Sequence, residues 1–242
     1  MEKFIGCSGF HYSDWKGKFY PEEIKKESWL EYYSQHFNSV EINNTYYKIP
    51  EKDALKSWLG QTPHGFSFSL KGSRYITHMK KLKDCKTHVR RFYKAIEPLE
   101  EKLGAVLWQL PGNLHRNDEK MEAFCKELDN NYTNVMEFRH ISWFKREIYE
   151  LLSSYGVTVC SISAPGDLPE MLEDSSGKIY LRLHGKEEWY RYRYSEKELG
   201  QWSDKIYKSG AAVAYVYFNN DYKAYAVENG IKMKELLPFN QH

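Results

Sequence analysis

The sequence predicts an α/β fold, a single (β/α)8 TIM-like barrel spanning residues 1–242, and three observations predict it. First, six segments alternate apolar with polar residues: Ser39–Asn43, Phe66–Lys71, Val106–Gln109, Val135–Arg139, Val159–Ser163 and Tyr180–His184. Period-two alternation marks strands, because successive side chains leave opposite faces of a pleated sheet. Second, helix-like stretches separate these segments, which makes the strands parallel and covers both faces of their sheet. The polar parity grows more polar toward each C-terminal end, so it lines an enclosed site rather than open solvent. Third, 242 residues match the size of one such barrel, typically about 250.

Strands are expected near residues 4–8, 39–43, 66–71, 105–110, 134–139, 157–163, 178–184 and 212–218. Ser28 with Glu31 forms a capping-box signature ahead of Tyr32, Tyr33 and Phe37. Pro50 leads into a helix carrying Leu55, Trp58 and Leu59. Over 84–103, Val89, Phe92, Ile96, Leu99 and Leu103 share one stripe, with Pro98 expected to kink or divide the helix and Gly104 to stop it. Met121, Phe124, Cys125 and Leu128 mark a further helix, as do Ile148, Leu151 and Leu152. Ala164–Pro169, after the sixth strand, makes that βα unit the least regular. Ser195 with Glu198 is a second capping box, ahead of Leu199, Trp202 and Ile206, and Ala224, Val227 and Ile231 mark the last helix. No linker, low-complexity tract or repeat divides the chain. An open doubly wound sheet is disfavoured by the lack of a Gly-rich phosphate turn after the first strand.

Thirty-five basic against 33 acidic residues leave a net charge of +2, so no global field favours nucleic acid or an acidic membrane. The basic run Lys80, Lys81, Lys83 and Lys86 reads as a solvated helix face. Aromatics reach 16%, with twenty Tyr, which puts many rings on rims and loops. Cys7, Cys85, Cys125 and Cys160 contain no C-x-x-C pair and read as reduced, buried thiols. The start, Met1–Cys7, enters a strand at once without a signal-peptide apolar stretch, and no run approaches the ~20 residues of a membrane span. A cytoplasmic protein is expected.

All strand C-termini of a parallel barrel gather at one face, where the loops build the site. Parity brings Glu41, Asn43, Lys71, Gln109, Glu137, Arg139, Ser161, Ser163, Arg182 and His184 to that mouth, with Asn219 and Asn220 beside them. Loops add Tyr12, Trp15, Tyr46, Tyr47, His78, His140, Trp143, Tyr190 and Tyr192. Burying so many charges unpaired costs several kcal/mol per ion, so they are paired, hydrated or awaiting a ligand.

Gly6-Cys7-Ser8-Gly9-Phe10, followed by Tyr12, Trp15, Lys16-Gly17 and Phe19-Tyr20-Pro21, resembles the opening of the YecE-like family of proteins, domain of unknown function 72. The blocks Val40–Tyr47, Lys71 with Thr77-His78, Gln109-Leu110-Pro111, Glu137–His140 with Ser142–Phe144, Arg182–Gly185 and Tyr217–Asp221 agree, so the resemblance runs nearly end to end. It implies a TIM-like barrel with its motifs at strand ends, and lends no settled activity. Many family members carry an Asp in the turn after the sixth strand, where this chain reads Ser161-Ile162-Ser163-Ala164-Pro165.

Glu41 and Glu137 lie on strands two and five, across the barrel, where two carboxylates suit acid and base roles in glycosidic cleavage. Lys71, Arg139 and Arg182 suit a phosphate or carboxylate ligand. His184 with Glu41 or Glu137 offers donors for a divalent metal, yet no H-x-H, H-E-x-x-H or Cys-rich spacing favours a metal, and the cofactor stays open. His78, His140 and His184 are candidate proton carriers.

The reading is a hydrolase-like enzyme for a phosphate-bearing or sugar-containing substrate. Catalysis falls to Glu137, Glu41 and His184, and substrate binding to Lys71, Arg139, Arg182, Asn43, Gln109, Asn219, Tyr12, Trp15, Tyr46 and Trp143. The alternative is a non-catalytic binder of nucleic acid or a nucleotide, with Trp15, Tyr46, Tyr47 and Trp143 as stacking platforms. No membrane partner is expected, and the sequence carries no signal for oligomeric state.

Overall fold

Eight parallel strands curl into a nearly closed barrel in the computed structural model, which describes residues 1–174 and 176–237. They are β1 (Glu2–Cys7), β2 (Ser39–Ile42), β3 (Ser67–Lys71), β4 (Leu103–Gln109), β5 (Asn134–Glu137), β6 (Thr158–Ser163), β7 (Lys178–Leu183) and β8 (Val213–Phe218). Each of the eight expected strands is present, in the ladder order β1-β8-β7-β6-β5-β4-β3-β2. A doubly wound sheet keeps its ends apart; here β1 and β2 meet again through an isolated bridge between Ser8 and Glu41.

That meeting line is a seam rather than a full backbone ladder. The Tyr33 hydroxyl accepts from the Cys7 N–H at 2.7 Å and donates to the Ser39 carbonyl at 2.9 Å. Asn38 does the same one step lower, accepting from the Ile5 N–H at 3.0 Å and donating to the Lys3 carbonyl at 2.6 Å. Gly6 lies between them because a Cβ there would sit 1.9 Å from the Ser39 carbonyl oxygen. Side chains thus satisfy backbone groups that burial would otherwise leave orphaned.

The helices are α1 (Trp29–His36), α2 (Lys52–Gln61), α3 (Lys86–Ile96), α4 (Asp118–Cys125), α5 (Arg146–Ser154), α6 (Glu196–Ser209) and α7 (Tyr225–Leu236). The sixth connection, 164–177, carries no helix among its described residues, in line with its irregular sequence. The main core lies between barrel and helices, where Trp29, Tyr33, Leu55, Val89, Phe92, Phe124, Ile148, Leu152, Trp202 and Met233 pack. A smaller one fills the barrel with Ala105, Leu107, Val135, Cys160, Ile162, Tyr180, Tyr215 and Tyr217.

Several local expectations are corrected. Ser195 and Glu198 form the capping box, but Ser28 makes no side-chain cap bond, because a 3₁₀ turn over Lys26–Ser28 already precedes α1 and carries Ser28 within it. Asn117 instead supplies an unforeseen cap, accepting from the Lys120 N–H at 2.7 Å. Pro98 divides the 84–103 segment as expected: α3 ends at Ile96 and a 3₁₀ stretch follows to Lys102. Gly104, however, lies inside β4 rather than after a helix, since a Cβ there would approach the Ser67 Oγ to 2.2 Å. Ala224 precedes α7 in a left-handed conformation, and Ile231 faces solvent while Ala226, Val227 and Met233 face the core.

Candidate active site

β7 builds the centre of the site because its inward residues Tyr180 and Arg182, followed by His184 just past its end, rise in sequence from barrel middle to mouth. Arg182, 1% exposed, donates from Nη2 to Glu41 Oε1 on β2 and from Nη1 to Glu137 Oε2 on β5, each at 2.6 Å. Ser8 also donates to Glu41 Oε1, and the Tyr180 hydroxyl donates to Glu41 Oε2 at 2.6 Å. Arg139 donates from Nε to Glu137 Oε1. Both expected carboxylates are therefore fully engaged, as burial of a charge demands. Burial alone would raise the Glu137 carboxyl, but Arg139 and then Arg182 outweigh it and hold it well below the ordinary carboxylate range. Glu137 stays ionised across working pH, which fixes charge and geometry but leaves it a weak base and no acid.

His184, fully buried, is pushed well below its ordinary value by burial and then by Arg182 and Arg139. Its neutral ring sets Nε2 3.2 Å from Arg139 Nη2 and Nδ1 2.9 Å from the Asn219 amide. Guanidinium groups offer only donors, so Nε2 accepts from Arg139, while Nδ1 faces the Asn219 amide nitrogen. His184 thereby positions Arg139, whose guanidinium lies 4.8 Å from the Trp189 ring.

Above this network lies a cavity of about 290 Å³ lined by Tyr12, Asn43, Tyr46, Tyr47, Lys71, Gln109, Arg139, Arg182, Tyr190, Asn219 and Asp221. Lys71, at the end of β3, stands 4.5 Å from the Tyr46 ring centroid and has no ion-pair or hydrogen-bond partner among the described residues. Burial and then Arg182 bring its ammonium down to about 8, against the opposing pull of Glu137 and Glu41. Gln109 donates to the Leu110 carbonyl at 3.2 Å, and Asn43 donates to Ser8 Oγ at 2.8 Å while its Oδ1 is buried without a partner among the described residues.

Asp221 is the candidate site residue that sequence reasoning passed over. Among the described residues its side chain is held only by its own backbone N–H, and burial, then Asp14, raise its carboxyl to about 6. It is the one carboxylate among the described residues that lines the cavity, Glu41 and Glu137 being locked beneath it. The only signal for it was its place closing the run Phe218-Asn219-Asn220-Asp221 just past β8.

Trp15 and Trp143, expected at the rim, are both fully buried. The Trp15 indole donates to the Asp221 carbonyl at 2.9 Å, and Trp143 donates to the Leu114 carbonyl at 2.7 Å and stacks on Phe138. They brace the loops, which leaves Tyr46 and Tyr47 of the four stacking platforms. Ser161 and Ser163 point away from the barrel interior: Ser161 accepts from the Glu173 N–H at 2.8 Å and Ser163 donates to Glu170 at 2.6 Å. The inward pair on β6 is Cys160 and Ile162, in register with Tyr180 and Arg182. His78 lies outside the cavity against Tyr46, lowered to about 4 by burial and then Lys71, and His140 stacks on His115. No three His, Cys, Asp or Glu side chains among the described residues converge as a metal site would require. Nor is any helix among them long and apolar enough to cross a membrane.

The family model "Protein of unknown function DUF72" matches residues 4–242. UPF0759 protein YunF of Bacillus subtilis is 27% identical over 97% of this chain and 94% of its own. UPF0759 protein YecE of Escherichia coli K12 is 31% identical over 48% of this chain and 43% of its own. A DUF72 family protein from Thermotoga maritima, known from its crystal structure, superposes with a TM-score of 0.89 at 32% identity, covering 98% of this chain and 99% of that one. A β-mannanase from Mytilus edulis shares the fold alone, with a TM-score of 0.53 at 12% identity. On the family match across nearly its whole length, the chain belongs to the DUF72 family.

Proposed function

We propose that the mouth is the active site of a hydrolase-like enzyme acting on a small phosphate-bearing substrate. The observation that carries this is Lys71, an ammonium without a counterion in a cavity whose other cations are pinned by Glu41 and Glu137. Lys71, Arg139 and Arg182 face Glu41, Glu137 and Asp221, but among the described residues no carboxylate pairs with Lys71, and a bound phosphate supplies that ammonium with an anionic partner. Asp221 replaces the locked glutamates as proton carrier. Its carboxylate takes a proton from the attacking water, whose oxygen bonds to phosphorus as the ester oxygen leaves with a proton from Lys71. A free base and a free acid whose values straddle neutrality suit such an exchange.

The test is titration calorimetry with inorganic phosphate, followed by hydrolysis of phosphomonoester and glycoside panels with and without added divalent metal. Lys71→Met is expected to weaken phosphate binding at least tenfold. Asp221→Asn is expected to bind phosphate but lose roughly 10²-fold or more in kcat, the scale of general acid–base catalysis. Absence of phosphate binding by the unaltered protein would sink the proposal.

A further inference from the structure

Beside the mouth lies a second cavity of about 420 Å³ between the loops that follow β1 and β2. Phe10, His11, Ile42 and Trp58 give it a predominantly apolar wall, and Tyr12 and Asn43 are shared with the mouth. Trp58 and Ile42 belong to the core and are 8% and 4% exposed, so this wall is fixed rather than mobile. The Tyr12 hydroxyl donates to the Ser8 carbonyl at 2.7 Å, which holds the partition between the two spaces in place.

The mouth alone, about 290 Å³, sits at the lower edge of the roughly 300–1,000 Å³ of small-molecule sites, and with its neighbour of about 420 Å³ the space lies well inside that range. The two halves also differ in chemistry, one cationic and polar, the other aromatic and aliphatic. We infer that the side cavity is the subsite for the organic half of the substrate, which makes the substrate class a phosphate ester of a ring-bearing alcohol. This rests on the anion reading of the mouth and extends it. Burial of one ring against such a wall is expected to raise affinity about tenfold or more.

Two non-hydrolysable probes separate the claims: methylphosphonate, which fills only the mouth, and benzylphosphonate, which adds a ring. Benzylphosphonate is expected to bind at least tenfold more tightly. Asn44 lines the side cavity but not the mouth and makes no side-chain hydrogen bond among the described residues, so Asn44→Trp can fill the space without breaking a contact. In that variant the tenfold gain is expected to vanish while methylphosphonate binds as before; Asn44→Ala keeps the gain. Equal affinity of the two probes for the unaltered protein overturns the side cavity as a subsite. Failure of methylphosphonate itself to bind overturns the anion reading instead.

Discussion

Replacing Arg182 with Met tests whether the charges beneath the mouth form one coupled unit. Among the described residues Arg182 is the only cation in contact with Glu41, whereas Glu137 keeps Arg139. Removing one partner of a buried pair costs about 3–5 kcal/mol, because the other charge is left uncompensated. The hydroxyls of Ser8 and Tyr180 still reach Glu41, which places the expected loss toward the lower end, about 3 kcal/mol. For a chain this long that lowers Tm by roughly 10 °C.

The pH dependence adds a second readout. In the unaltered protein the Glu137 carboxyl sits below its unfolded value. Its contribution is therefore complete above the unfolded pKa of about 4.3 and is lost as pH falls through the lower folded value. In Arg182→Met, a buried carboxylate stripped of its cation holds its proton to higher pH than the unfolded chain does. The folded state then binds more protons, and stability rises as pH falls from 7 toward 5. Urea unfolding at pH 7 and pH 5 measures both effects. A loss below about 1 kcal/mol, the same at both pH values, would refute the coupling argument.

Three further outcomes follow from named geometry. If Asp221 acts as base and Lys71 as acid, kcat/KM climbs through pH about 6 and declines above about 8; a profile flat from roughly pH 5 to 9 contradicts the assignment. Gly6→Ala forces a methyl group against the Ser39 carbonyl at the seam, and circular dichroism melts are expected to show a loss of several kcal/mol or failure to fold, as overpacking a closed interior does. Ser195→Ala is expected to cost about 1 kcal/mol by urea titration and Ser28→Ala only a few tenths, since only the former removes a cap; equal losses would count against this account.

The barrel was legible because six of its eight strands alternate in their own sequence, and alternation alone assigns Glu41, Lys71, Glu137, Arg182 and His184 to one interior. The same rule misplaced β6. Val159-Cys160-Ser161-Ile162-Ser163 is buried on both faces, so neither parity is marked by water, and packing against Tyr180 and Arg182 selected Cys160 and Ile162 for the inside. Trp15 and Trp143 were misread because a ring on a loop is consistent with a platform or a brace, and only the acceptor found by each indole tells which. Asp221 lies three residues past the end of β8, where no alternation points, and its freedom depends on which other carboxylates the arginines claim.

Ser8 and Glu41 occupy two places at once: they are the bridge where the sheet's first and last ladder members meet, and they hold Arg182 from its β2 side. Circularising the sheet and assembling the electrostatic floor of the pocket are consequently a single event. A chain with that junction parted keeps most of its helices and seven of its strand pairings, yet loses the contacts that fix Arg182 beneath the mouth.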